Sequence, residues 1–237
     1  FSLLTYDQSM FVSMGSIYPE GTFILNGLSM DRSAGGYRIG TCIMPEGCSQ
    51  KTISEFKKIL ATIYTAAATP MQQAAVSAYL SNPSMDTYLH DTREIHRIMT
   101  TRLATLFNSI EGVNATIPES GFSFLVDLNS IAHTIQAAGI QYSNDIAPAM
   151  IQHPYHMATV TGEAMMAAYN DFFIRISVTD YDGAAALTAF RADPPKNDID
   201  EEAFFIKFGS RMIAGMEMFQ IWIQDIQKGT FKYNKEI

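Results

Sequence analysis

Cysteine, charge and long apolar runs are all scarce in this sequence, and each scarcity excludes a class. Cys42 and Cys48 are the only cysteines. Pro45 and Gly47 lie between them, there is no CxxC, and no second pair exists to complete a zinc site. Two unbridged thiols in a reducing compartment, the cytoplasm, are therefore expected. No apolar stretch approaches the ~20 residues that cross a bilayer, so no membrane partner is expected. Residues Phe1 to Met14 contain polar breaks and no basic region, which argues against a signal peptide. Charged residues make up 17% of the chain, and Asp plus Glu (24) outnumber Lys plus Arg (16), for a net charge of −8. An acidic chain of this kind is not built to coat nucleic acid.

Apolar side chains are abundant. They make up 47% of the 237 residues, with 14 Met among them. That composition belongs to a packed globular protein with one large core or two smaller ones. Strands and helices alternate along the chain. Thr22 to Leu28 and Tyr37 to Met44 read as short strands. Ser49 to Tyr64 reads as a helix, with Ile53, Phe56, Ile59, Leu60 and Ile63 at helical spacing and Thr52 with Glu55 as a capping box. Pro70 to Leu80 is an Ala-rich helix. Asn82 and Pro83 open a long helix to about Ile110, which Gly112 ends.

Beyond it, Val113 to Ile117 and Phe122 to Leu128 read as paired strands. Ile131 to Ala138 and Asn144 to Ile151 are expected as short helices, Met157 to Thr161 and Phe172 to Val178 as strands, and residues 183–192 as a helix. Asp198 to Gln227 reads as one final amphipathic helix. The change of character places a domain boundary within residues 85–100.

The most informative stretch runs from Gly27 through Leu28, Ser29, Met30, Asp31, Arg32, Ser33, Ala34, Gly35, Gly36, Tyr37, Arg38 and Ile39 to Gly40. Locally it is a strand end, a polar turn, a Gly pair and a second strand starting with an Arg. It reads either as a Gly turn with a surface Arg or as a turn whose Arg38 holds an anion bidentately.

The whole pattern resembles the cofactor-lysine segment of class I/II aminotransferases, which are fold-type I pyridoxal-phosphate (PLP) enzymes. Gly27, Leu28 and Ser29 precede the lysine slot. Ser33, Ala34 and Gly36 fill the small positions, and Arg38, Ile39 and Gly40 close the motif. The slot itself holds Met30. In the family that lysine bonds the cofactor and shuttles the substrate proton; a thioether does neither. Thr69 to Ala75 resembles the family's Gln-Ala-Ala helix, and Gly121 to Leu128 its small-domain strand. Phe173 to Ser177 resembles the late strand whose Arg clamps the substrate carboxylate, which places Arg175 in that role. The family's Pro-Gly-x-x-Phe-Gly element is represented only by Thr161 to Met166.

The resemblance implies an α/β chain with a partial PLP-transferase fold: the end of the large α/β domain over residues 1–90 and an α+β small domain over 91–237. The family's upstream pocket motifs have no counterpart before Gly27, and Asp7 lacks their strand context. Gly27, Ser29 and Arg38 remain as candidate cofactor contacts and Arg175 as the candidate substrate contact, with no catalytic lysine. The implied function is PLP-dependent transamination between an amino acid and a 2-oxo acid, in a truncated chain that is inactive alone and does not bond PLP covalently. The alternative is a non-catalytic remnant, a pseudoenzyme serving as a binding or interaction module. The implied partners are an amino acid or 2-oxo acid, and either a second copy in a homodimer or a missing N-terminal segment.

Three other features carry less. His153 and His156 flank Pro154, which argues for a loop and against a helical metal pair, so no metal is expected. His90 and His96 do not share a helix face. Asn114, Ala115 and Thr116 form a glycosylation sequon of a kind common by chance.

Overall fold

The computed structural model describes residues 2–152 and 154–234, so His153 lies outside the described residues. The chain divides into two compact units, Phe1–Arg93 and Glu94–Ile237.

The first unit begins with 3-10 turns and the short helix α1 (Met14–Ile17). Strands β1 (Ile24–Gly27) and β2 (Gly40–Ile43) pair antiparallel, with Gly27 opposite Gly40. Helices α2 (Gln50–Ile63) and α3 (Thr69–Tyr79) follow, and then the first part of α4 (Pro83–Phe107). Asn82 Oδ1 accepts from the Met85 N–H at 2.9 Å, so Asn82 caps α4 as its sequence signal predicts. The α2 cap is displaced from the expected pair. Ser49 Oγ accepts from the Thr52 N–H at 3.1 Å, and Glu55 instead meets Lys58 at 2.9 Å. The expected second strand is also shorter. Gly35–Tyr37 forms a 3-10 turn and Arg38 takes a left-handed φ of 51°, so pairing starts only at Gly40.

The second unit holds the rest of α4 and a four-stranded antiparallel sheet. Its strands are β3 (Asn114–Ala115), β4 (Ser123–Asp127), β5 (Val160–Thr161) and β6 (Phe173–Ser177), in the order β3-β4-β6-β5. Helices α5 (Ala132–Ala137), α6 (Ile146–Ile151), α7 (Gly183–Ala192), α8 (Asp198–Phe208) and α9 (Ser210–Lys228) complete it. Alternation along the sheet decides its faces. Phe124, Val126 and Ile174 are buried, while Leu125 and Arg175, which are Cα partners, project to the opposite face. Ile95, Ile98, Met99, Leu103 and Phe107 of α4 join Phe219, Trp222 and Ile223 of α9 in one core cluster.

The single final helix expected from periodicity is two helices. It breaks at Gly209, where an added Cβ would stand 2.6 Å from the Phe205 carbonyl oxygen. Gly112, at φ +82°, turns the chain after α4; a Cβ there would meet Ile131 at 2.4 Å. Among the described residues no helix is long and apolar enough to cross a membrane.

Candidate functional site

The Gly27–Gly40 segment is a hairpin loop pinned at several points. At its base, Gly40 is required: an added Cβ would lie 2.8 Å from the Asn26 carbonyl oxygen. Leu28 is buried, and its carbonyl accepts from the Ala34 N–H at 3.0 Å. Arg32 donates from Nε to the Ala78 carbonyl at 2.9 Å and stacks on the Tyr79 ring. The Arg32 guanidinium also pairs with Asp31, both side chains being almost fully buried. Tyr88 Oη donates to Ser33 Oγ at 2.9 Å, and Tyr64 Oη donates to the Arg38 carbonyl at 2.6 Å. The sharp backbone falls at Ser33 and Arg38, both at φ 51°, and not at Gly35 or Gly36.

Gly27, Ser29 and Met30 come together on a shallow cavity of about 220 Å³, which Leu25, Asn26 and Asp31 also line. Met30 is 48% exposed. Arg38 is not part of that lining. It is folded back on its own turn, with Nη1 donating to the Gly35 carbonyl at 2.9 Å. Lys51, Lys57 and Lys58 sit on α2 and do not line the cavity.

Arg175 lies in the second unit, on β6, with Leu125 and Val160 as its cross-strand neighbours. Its Nε is buried with no hydrogen-bond partner. A planar fork with an unsatisfied buried donor suits a carboxylate. The Thr161–Met166 stretch folds back tightly, with the Gly162 N–H donating to the Phe173 carbonyl at 2.6 Å and Met166 left-handed at φ 69°. Among the described residues no group of three or more His, Cys, Asp or Glu could hold a metal ion. Cys42 and Cys48 are free.

One chemically distinctive pair has no signal in the sequence. His96 Nδ1 and Tyr181 Oη are hydrogen-bonded at 3.2 Å, although they stand far apart in the chain. The imidazole packs on Phe122, and burial pushes its pKa down to about 4, so it is neutral at pH 7.

The family model for aminotransferases of class I and II matches residues 4–189, and the chain belongs to that family. Solved structures share the fold. The aromatic aminotransferase from Pyrococcus horikoshii OT3 superposes with a TM-score of 0.66 at 18% identity, covering 96% of this chain and 50% of that one. The aspartate aminotransferase from Rhizobium meliloti gives 0.61 at 17% identity, over 92% of this chain and 48% of that one. The alanine aminotransferase from Pyrococcus furiosus gives 0.56 at 19% identity, over 86% and 42%. The chain thus spans about half the length of the solved structures it matches. No curated protein matches the chain.

The family depends on PLP. The residues here do not fit a covalently held PLP: the cavity at Met30 offers a thioether, a hydroxyl, an amide and a carboxylate, and no amine.

Proposed function

We propose that this chain is a catalytically silent form of a class I/II aminotransferase, with unit one corresponding to the end of the large cofactor-binding domain and unit two to the small domain. The observation that carries the reading is Met30, which occupies the lysine slot of an otherwise complete segment and lines its cavity. A thioether has no nucleophilic nitrogen and no titratable proton, so these residues do not transaminate by themselves. In this reading Gly27, Ser29 and Arg38 are what remains of the cofactor contacts, with Arg38 at the phosphate. Arg175 holds the carboxylate of an amino acid or 2-oxo acid, and its unsatisfied Nε supports that role. The two free thiols support a reducing compartment, the cytoplasm.

The test is incubation with PLP followed by borohydride. The expected result is no covalently labelled lysine and no turnover of an amino acid with a 2-oxo acid. A labelled lysine together with turnover would overturn the proposal. Met30→Lys, assayed with the upstream half of an aminotransferase supplied in trans, is expected to restore the cofactor-linked absorbance.

A second reading is a non-catalytic interaction module, either as a homodimer or with another chain. It is favoured by apolar side chains exposed on the first unit, among them Leu25, Ile43, Ile59, Leu60 and Ile63. Sedimentation analysis tests its self-associating form: a monomer at micromolar concentration counts against it.

A further inference from the structure

The second unit contains a cavity of about 260 Å³ on the sheet face opposite Arg175, where Ile176 and the inner sides of α4 and α9 meet. Its walls are apolar and soft, formed by Phe107, Met157, Met212, Met216 and Phe219 among others. Thioethers and phenyl rings make a lining that adapts to planar or branched apolar groups. A dry cavity of ~150 Å³ holds a benzene ring, so this one has room for a ring with a short chain.

The mouth is polar. Arg211 and Asp180 form an exposed pair there at 3.1 Å, and Ser177 also lines the cavity. His156 also lines it, held in a left-handed backbone conformation at φ 52° that costs a non-glycine residue energy. Asp180 meets the guanidinium at Nη2, and a guanidinium has five N–H donors in all. An exposed ion pair is worth little, so it opens readily to a competing carboxylate.

Gly215 on α9 completes the cavity wall. Glycine inside a helix is unfavourable by about 1 kcal/mol against alanine. No packing constraint requires it here, because an added Cβ would meet nothing within 4 Å. The space it leaves is part of the cavity.

We infer that this cavity is a second ligand site, for a small aryl or branched-alkyl carboxylate. The apolar body lies among the methionines and phenylalanines, and the carboxylate meets Arg211 at the mouth. The site belongs wholly to the second unit and does not depend on PLP or on Met30.

Isothermal titration of the full chain with 3-phenylpropionate tests this, with 3-phenylpropanol as the neutral match. Saturable binding of the acid is expected, at least several-fold tighter than that of the alcohol. Gly215→Leu fills the cavity; it is expected to abolish binding while keeping or raising the melting temperature. Gly183→Leu, where a Cβ also meets nothing within 4 Å but the residue does not line the cavity, is expected to leave binding intact. Arg211→Gln is expected to weaken the acid about tenfold and leave the alcohol unchanged. Asp180→Asn is expected to tighten the acid. No saturable binding of the acid, or binding unaffected by Gly215→Leu, would overturn the site. Acid binding unaffected by Arg211→Gln would overturn the carboxylate assignment.

Discussion

The two units hold themselves together by different means. In the second, one continuous cluster runs from Ile95 through Phe124, Ile174 and Phe219 to Phe231, and Trp222 is fully enclosed. In the first, the buried apolar side chains among the described residues are Leu4, Leu28, Ala75 and Leu89, and α2 buries none despite its amphipathic sequence. That unit is instead tied by polar contacts: the β1–β2 ladder, Arg32 to Ala78 and Asp31, Tyr64 to Arg38, and Tyr88 to Ser33. Burial is non-directional and tolerates small shifts, whereas a buried ion pair such as Arg32–Asp31 fails sharply when one partner is removed. The loop around Met30 is therefore placed by polar geometry, and the sheet bearing Arg175 by packing.

The largest expected effect tests the packed unit. Trp222→Ala should cost about 4 kcal/mol in urea unfolding, from lost burial plus the cavity it leaves. A loss under ~1 kcal/mol would erase the contrast. In the first unit the largest effect should be polar. Arg32→Met leaves the buried Asp31 carboxylate without its cation and should cost about 3 kcal/mol; a near-neutral result would mean that the loop is held by something else.

Acid should weaken the second unit through His96. Above pH 6.5 the imidazole is neutral in both states. Below it the unfolded chain binds a proton that the native site, with its pKa at about 4, refuses. Stability should then fall by about 2 kcal/mol between pH 7 and pH 5. His96→Gln should flatten that part of the profile, measured as unfolding free energy against pH. The smallest effect should come from α2: Ile63→Ala, at a position 80% exposed, should stay within ~0.5 kcal/mol. A cost comparable to that of Trp222→Ala would mean that α2 is buried in solution, for example in a dimer.

Much of this arrangement is legible in the sequence where the signals are local. The cap at Asn82 is a side-chain oxygen that accepts from an N–H three residues on, and β4 alternates buried and more exposed positions as its sequence does. The Gly27–Gly40 segment is legible as a motif, yet its conformation is not. The Gly pair suggests where the backbone turns hard, but the left-handed φ values fall on Ser33 and Arg38, and the Arg38 side chain folds back to donate to the Gly35 carbonyl. The break at Gly209 is hidden because apolar residues keep their helical spacing on both sides of it. Pairing of His96 with Tyr181 is a tertiary contact that no local pattern announces, and the same holds for the open space beside Gly215.

The single tryptophan of the chain, Trp222, sits in the second unit, while both cysteines, Cys42 and Cys48, sit in the first. Tryptophan emission, excited at wavelengths that tyrosine does not absorb, therefore reports on the second unit alone. A thiol-reactive dye marks only the half that the indole does not see. The chain thus comes with two separate optical channels, and melting followed in both at once will show whether its halves come apart together or in turn.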